Sequence, residues 1–166
     1  LGCSKDKSEE IILSYKSYIE DNGIEFVLIK EKVKVLAGIP VAWNLGIDKV
    51  KSDIVAILNA DDYYIARNTM STVLRNFSKE ECLIVSGRII YTNTEKTQIN
   101  RFKGLFPFLN PYNHPATFVS KKLYDEVGVY NTSYIVSADY DFLYRAFSLG
   151  YKFTIDNKIK VSMEPG

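Results

Sequence analysis

The 166 residues carry 46% hydrophobic and 25% charged side chains, an ordinary globular balance that excludes a disordered, collagen-like or coiled-coil chain. Twenty-one basic residues face 20 acidic ones, and a net charge of +1 gives no bulk pull toward nucleic acid, which is not expected as a partner. No apolar run approaches the ~20 residues that span a bilayer, and the first ten residues, with Lys5, Asp6, Lys7, Glu9 and Glu10, do not read as a secretory leader. Cys3 and Cys82 lie far apart and suggest neither a disulfide framework nor a metal cluster, so a soluble domain in a reducing compartment is expected. Twelve Tyr against nine Phe suit the half-wet walls of a cleft, and equally a Tyr-rich surface without function.

In chain order, Ile11, Ile12, Tyr15, Tyr18 and Ile19 fall at helical spacing, which predicts a helix over Ser8–Ile19 with Ser8 as its cap. Asn22-Gly23 ends it, and Phe26–Ile29 reads as a short buried strand. Pro40–Val50 reads as a helix with proline in its first turn, where the missing N–H costs nothing. The apolar run Ile54–Leu58 predicts a central strand covered on both faces. Asn68–Phe77 is a helix, Cys82–Tyr91 a strand, and residues 92–111 a long loop or flap. Ser120–Val127 and Ala138–Leu149 are helices, and Tyr151–Ile155 and Ile159–Met163 are edge strands. Strands alternating with helices predict an α/β domain with a mostly parallel central sheet and helices on both faces.

Three clusters carry chemistry. Asn59-Ala-Asp61-Asp62-Tyr63-Tyr64 places adjacent carboxylates directly after a strand, where parallel sheets bind ligands. Two such carboxylates repel unless a cation neutralises them, and Mg²⁺ or Mn²⁺ binds through one or two carboxylates plus phosphates; a helix cap or an Asx turn is the plain alternative. Ser137–Arg145 places Asp139 near a helix start, ahead of an apolar stripe, with Asp141 and Arg145 spaced to pair. Asn113-His114-Pro115 holds the one histidine, which serves either as a structural hydrogen-bond partner or as a site residue. No second histidine or cysteine stands near it, so a zinc site or hydrolase triad is not expected, and no phosphate-cradling glycine motif is present.

In this order the pieces resemble the family 2 glycosyltransferases of the GT-A fold. Gly2-Cys-Ser4-Lys-Asp6-Lys-Ser8-Glu resembles the family's D-G-x-S-x-D-x-T-x-E turn, and Ala42-Trp43-Asn44-Leu45-Gly46-Ile47 its A-R-N-x-G-I segment. Leu58–Tyr64 resembles L-D-A-D-D-x-Y with its D-x-D metal motif, and His114–Tyr130 resembles H-x-x-x-F…G-x-[FY]. Ser137–Arg145 is similar to the E-D-x-D-x-x-x-R helix. Leu1, Trp43, Asn59 and Ala138 stand where the family has an acidic residue, the arginine, the first aspartate and the glutamate.

The resemblance implies an inverting transferase that moves a sugar from a nucleotide-sugar donor, a UDP-sugar foremost, to an acceptor hydroxyl. It places Asn44, Asn59 and Asp61 on the donor and Asp61, seconded by Asp62, on Mn²⁺ or Mg²⁺. Asp139 is then the general base, with Asp62, Tyr63, Tyr64 and His114 on the acceptor side. A saccharide or lipid-linked acceptor follows from it, with a role in surface polysaccharide synthesis. So does a cytoplasmic location, and the whole protein can then touch the inner face of a membrane. Against the family pattern, residues 1–166 read as one catalytic domain lacking a first strand–helix–strand unit. A nucleotidyltransferase and a non-enzymatic carbohydrate-binding module are the alternatives.

Overall fold

The computed structural model describes residues 6–30, 38–79, 81–91, 97–98, 106–108, 110–134 and 136–164. The first four residues of the expected opening turn and most of the 92–111 flap lie outside them.

Helices α1 (Ser8–Ser14) and α2 (Lys16–Asp21) meet at Tyr15 and bury no residue. The first is not capped by Ser8 as expected. The Asp6 carboxylate accepts from the Ser8 N–H at 2.9 Å, because Ser8 is already inside the first turn. Helix α3 (Gly38–Lys49) follows, with Ile47 buried. Strand β1 (Ile54–Ala56) leads to β2 (Tyr63–Tyr64), and α4 (Thr69–Phe77) to β3 (Ile84–Tyr91). Then come β4 (Thr97–Gln98), a single 3-10 turn at His114–Ala116, β5 (Thr117–Ser120) and α5 (Lys121–Val127). Helix α6 (Ala138–Ser148) and β6 (Thr154–Met163) complete the fold.

The sheet runs β1-β5-β3-β6-β2, with β4 on the side of β3. It is mixed rather than mostly parallel. Only β3 and β6 run parallel, whereas the β1–β5, β3–β5, β3–β4 and β2–β6 pairs are antiparallel. The reason lies in the connections: a parallel pair needs a crossover, and no α-helix intervenes between β3 and β5 in the described residues. Helices α5 and α6 supply that crossover between β3 and β6. Ile54–Leu58 is three residues of strand at an end of the sheet path, with Val55 its one buried member. An apolar run alone does not distinguish an edge from a centre. The two expected edge strands after Tyr151 are one strand inside the sheet, and Phe26–Ile29 forms no strand.

Strand alternation divides the core. Val55, Ile84 and Val119 face α3, α5 and α6, packing with Ile47, Leu123, Phe142 and Leu143. Val85, Phe118 and Ile159 face the other way, against Val73 of α4. Helices on both faces, as expected, follow from this. At Gly87 the β3–β6 register shifts, and a Cβ there would stand 2.6 Å from the Ile159 carbonyl oxygen. Only glycine allows that backbone approach.

Candidate active site

The loop from β1 to β2 turns through an Asp62 N–H bond to the Asn59 carbonyl at 3.2 Å. That turn leaves Asn59, Ala60 and Asp61 exposed and sends the Asp62 side chain inward, 7% exposed. Both Asp62 carboxylate oxygens are buried with no hydrogen-bond partner among the described residues. Burial and the neighbouring Asp61 charge push its carboxyl above the ordinary carboxylate range; the side chain and N–H of Asn59 offset this in part without closing a full hydrogen bond. The sequence ranks Asp61 ahead of Asp62 for a metal, but the unmet demand for a cation sits on Asp62. A buried carboxylate without partners fits a divalent ion, since such a group needs a counter-charge or must take a proton. No group of three or more His, Cys, Asp or Glu gathers among the described residues.

Period-2 alternation separates the two tyrosines that follow. Tyr63 is exposed, while Tyr64 turns to the α4 side of the sheet and stacks on Phe118 with ring centroids 5.7 Å apart. Tyr64, expected on the acceptor side, is therefore half-buried packing. Asn44 also differs from the expectation of a donor contact. Its amide accepts from the Tyr130 N–H at 3.0 Å and donates to the Tyr130 carbonyl at 2.8 Å, tying α3 to the segment after α5.

The fold brings together His114, from the 3-10 turn before β5, and Asp139, from the start of α6. Both line a small cavity of about 10 Å³ with Thr117, Tyr124 and Tyr130, close to the room one water needs. The cavity reaches Ile57 but not Asn59, Asp61 or Asp62. The His114 ring lies on Trp43, centroids 4.1 Å apart and planes 14° from parallel, and its Nε2 is buried with no hydrogen-bond partner among the described residues. Burial holds the imidazole below its ordinary pKa, with the Asp139 charge pulling the other way. Beneath, the Tyr124 and Tyr130 hydroxyls share a hydrogen bond of 3.0 Å, and burial pushes Tyr124 up to about 12.

Asp139 is the second residue of α6, placed there by Ser137, whose left-handed φ of 69° is rare for a residue other than glycine. Asp141 and Arg145 pair at 2.9 Å as their spacing predicts. The guanidinium also donates to the carbonyls of Val127, Gly128 and Val129, so α6 is bolted to the turn that carries Tyr130. Tyr140 donates to the Pro107 carbonyl, and Phe106 packs edge-on against Phe147, which holds residues 106–108 against the same helix. The sequence marks Trp43 only as a departure from a family pattern, and nothing in it points to a contact with His114. Its one legible signal was being the single tryptophan, next to Asn44.

Comparison with known proteins bears on the fold and the family. The profile of Glycosyl transferase family 2 matches residues 2–139. The fold resembles that of the mannosyltransferase PcManGT from Pyrobaculum calidifontis, solved in complex with GDP-Man and Mn²⁺: TM-score 0.74 at 15% identity, covering 97% of this chain and 45% of that one. TarS from S. aureus superposes with a TM-score of 0.73 at 12% identity, over 98% of this chain and 30% of TarS. The inositol-1-phosphate CTP transferase from T. maritima is more distant, with a TM-score of 0.53 at 17% identity over 91% of this chain and 67% of that one. The chain thus spans less than half the length of PcManGT and of TarS. No curated protein sequence matches it significantly. A GT-A fold and a family profile over most of the chain settle its membership: it belongs to glycosyl transferase family 2.

Proposed function

We propose that this domain transfers a sugar from a nucleotide-sugar donor to an acceptor hydroxyl, with inversion and with the help of a divalent cation. The observation that carries the reading is Asp62, a buried carboxylate with both oxygens unpartnered beside a second aspartate. Asp62, with Asp61 next to it, would hold Mn²⁺ or Mg²⁺, which when bound offsets the charge that builds on the departing diphosphate. PcManGT, which shares the fold, was solved with GDP-Man and Mn²⁺.

The remaining chemistry falls to side chains of this chain. Asp139 takes the proton of the acceptor hydroxyl as that oxygen bonds to the anomeric carbon. The carbon–oxygen bond to the diphosphate breaks in the same step, on the opposite face, and nucleoside diphosphate leaves. His114, neutral and packed against Trp43, keeps that side of the carboxylate dry, so a proton accepted there is not shared with bulk water. Exposed Asn59 has a side-chain oxygen available to a ribose hydroxyl. A UDP-sugar as donor, and a growing polysaccharide or lipid-linked saccharide handled on the cytoplasmic side, rest on the family resemblance alone.

Thermal shifts of the intact protein with UDP-, GDP- and dTDP-sugars, with and without Mn²⁺, test the reading. One donor is expected to raise Tm more with Mn²⁺ than without, and Asp62→Ala to remove that increment. An Asp62→Ala protein with an unchanged Mn²⁺-dependent shift would show the metal assignment to be wrong.

A further inference from the structure

We propose that Trp43 is the floor of an acceptor subsite that takes one sugar ring by its apolar face and turns a hydroxyl of that ring toward Asp139. The inference rests on Asp139 acting as the base. Beside the start of α6 a groove of about 260 Å³ opens between Ile39, Pro40 and Trp43 on one side and residues 136–139 on the other. That is just below the ~300–1,000 Å³ of sites enclosing drug-sized ligands, a size for one ring rather than a chain.

The walls decide the chemistry. Apart from Ser137 and the indole N–H of Trp43, Asp139 is the only residue with a polar side chain lining the groove among the described residues. Val136 is 77% exposed and Ile39 59% exposed, so the rim shows large apolar side chains to water. Such a surface cannot pair hydroxyls all round a sugar, and a buried hydroxyl without a partner is costly. It suits a ring lying flat, with its hydroxyls at the open rim or at the one carboxylate. Pyranoses have an apolar face of axial C–H bonds, and the negative face of an indole attracts their hydrogens.

Trp43 is prepared for this. His114 covers one side of the ring at 4.1 Å and Tyr130 braces it at 5.0 Å and 59°, while the half-buried indole still lines the groove. Its rotamer is fixed in the free protein, so little ordering remains for a ligand to bring about. The strained Ser137 backbone is a second local feature: a left-handed non-glycine residue persists where its surroundings hold it, and here it immediately precedes the helix start that puts Asp139 in the groove wall. A nucleotide base or the donor's own sugar could stack on the same ring, and the experiment separates them.

Saturation-transfer NMR on the intact protein uses the methyl glycosides of glucose, galactose, mannose and N-acetylglucosamine as probes, without nucleotide. At least one is expected to give a saturable signal concentrated on the axial protons of one ring face. Trp43→Phe should keep the affinity within a few-fold, and Trp43→Ala should weaken it by ~10-fold, the worth of one good aromatic contact. Circular dichroism melts verify that both variants are folded. Asp139→Asn should keep the glycoside signal even where turnover is lost, which separates failure of the base from failure of the subsite. The proposal is overturned if no glycoside binds the folded protein, or if Trp43→Ala binds as well as the parent. Displacement by UDP or GDP alone would put a base on Trp43, and displacement only by a nucleotide sugar would put the donor's sugar there; either outcome also overturns it.

Discussion

His114 combines a stacked ring with a buried nitrogen unpartnered among the described residues, and its surroundings make opposite demands on its charge. Burial beside Tyr124 and Tyr130 favours the neutral imidazole, while the Asp139 carboxylate favours the cation. Burial prevails, and the ring stays neutral in the folded chain at pH values where the unfolded chain, with a histidine pKa of ~6.5, takes a proton. The unfolded state then binds more protons, so stability is complete above that pKa and is lost as pH falls through it. Melting temperatures measured between pH 7.5 and 5.5 should therefore decline with acidification. In His114→Phe, which keeps a ring against Trp43, the decline should be shallower. An identical slope in the two proteins would mean that other groups set it. The residue was legible as a motif member, but its surroundings were not, because Trp43 and Asp139 reach it only through the fold.

Helix α6 shows what spacing along an element can and cannot reveal. Its apolar stripe and the Asp141–Arg145 pair stand where a 3.6-residue period puts them. Nothing in that period showed that Arg145 would also hold three carbonyls of the preceding turn, since those partners are set by tertiary contact. The same blindness explains the sheet. Local pattern assigns no element to Thr117–Val119 and starts a helix at Ser120, although these four residues are β5 and bind β1 to β3. The two aspartates of α6 divide function from structure, and a paired substitution tests the division. Asp139→Asn keeps the shape but cannot accept a proton, so kcat should fall ~10²-fold or more with donor binding and Tm near the parent values. Asp141→Asn loses the ion pair to Arg145, which in a partly exposed setting is worth ~0.5 kcal/mol, and kcat should drop far less. The reverse ranking in two folded proteins would make Asp141 the base.

Across the whole molecule stability is unevenly spread, and the unevenness follows from where apolar surface is buried. Strands β3, β5 and β6 sit between two packed layers, and Ile84, Val85, Ile159 and Val161 are fully enclosed. Opening any of them breaks both the ladder and a core, so their amides should exchange only through near-global unfolding. Helices α1 and α2 are the opposite case. They are seven and six residues long and bury nothing, and Ile11, Tyr15 and Tyr18 are 57%, 58% and 69% exposed. Helices of that length are marginal in water unless an amphipathic face is packed, whatever their sequence periodicity. The periodicity that predicted a helix here was correct about conformation and silent about burial, because the partner that would cover the stripe is not written in the stripe. Hydrogen exchange followed by mass spectrometry on the intact protein is expected to show residues 8–21 exchanging orders of magnitude faster than β3 and α6. Slow exchange throughout α1 and α2, at the level of α6, would contradict this and would show that the apolar side chains of Ile11, Tyr15 and Tyr18 are covered in the intact protein.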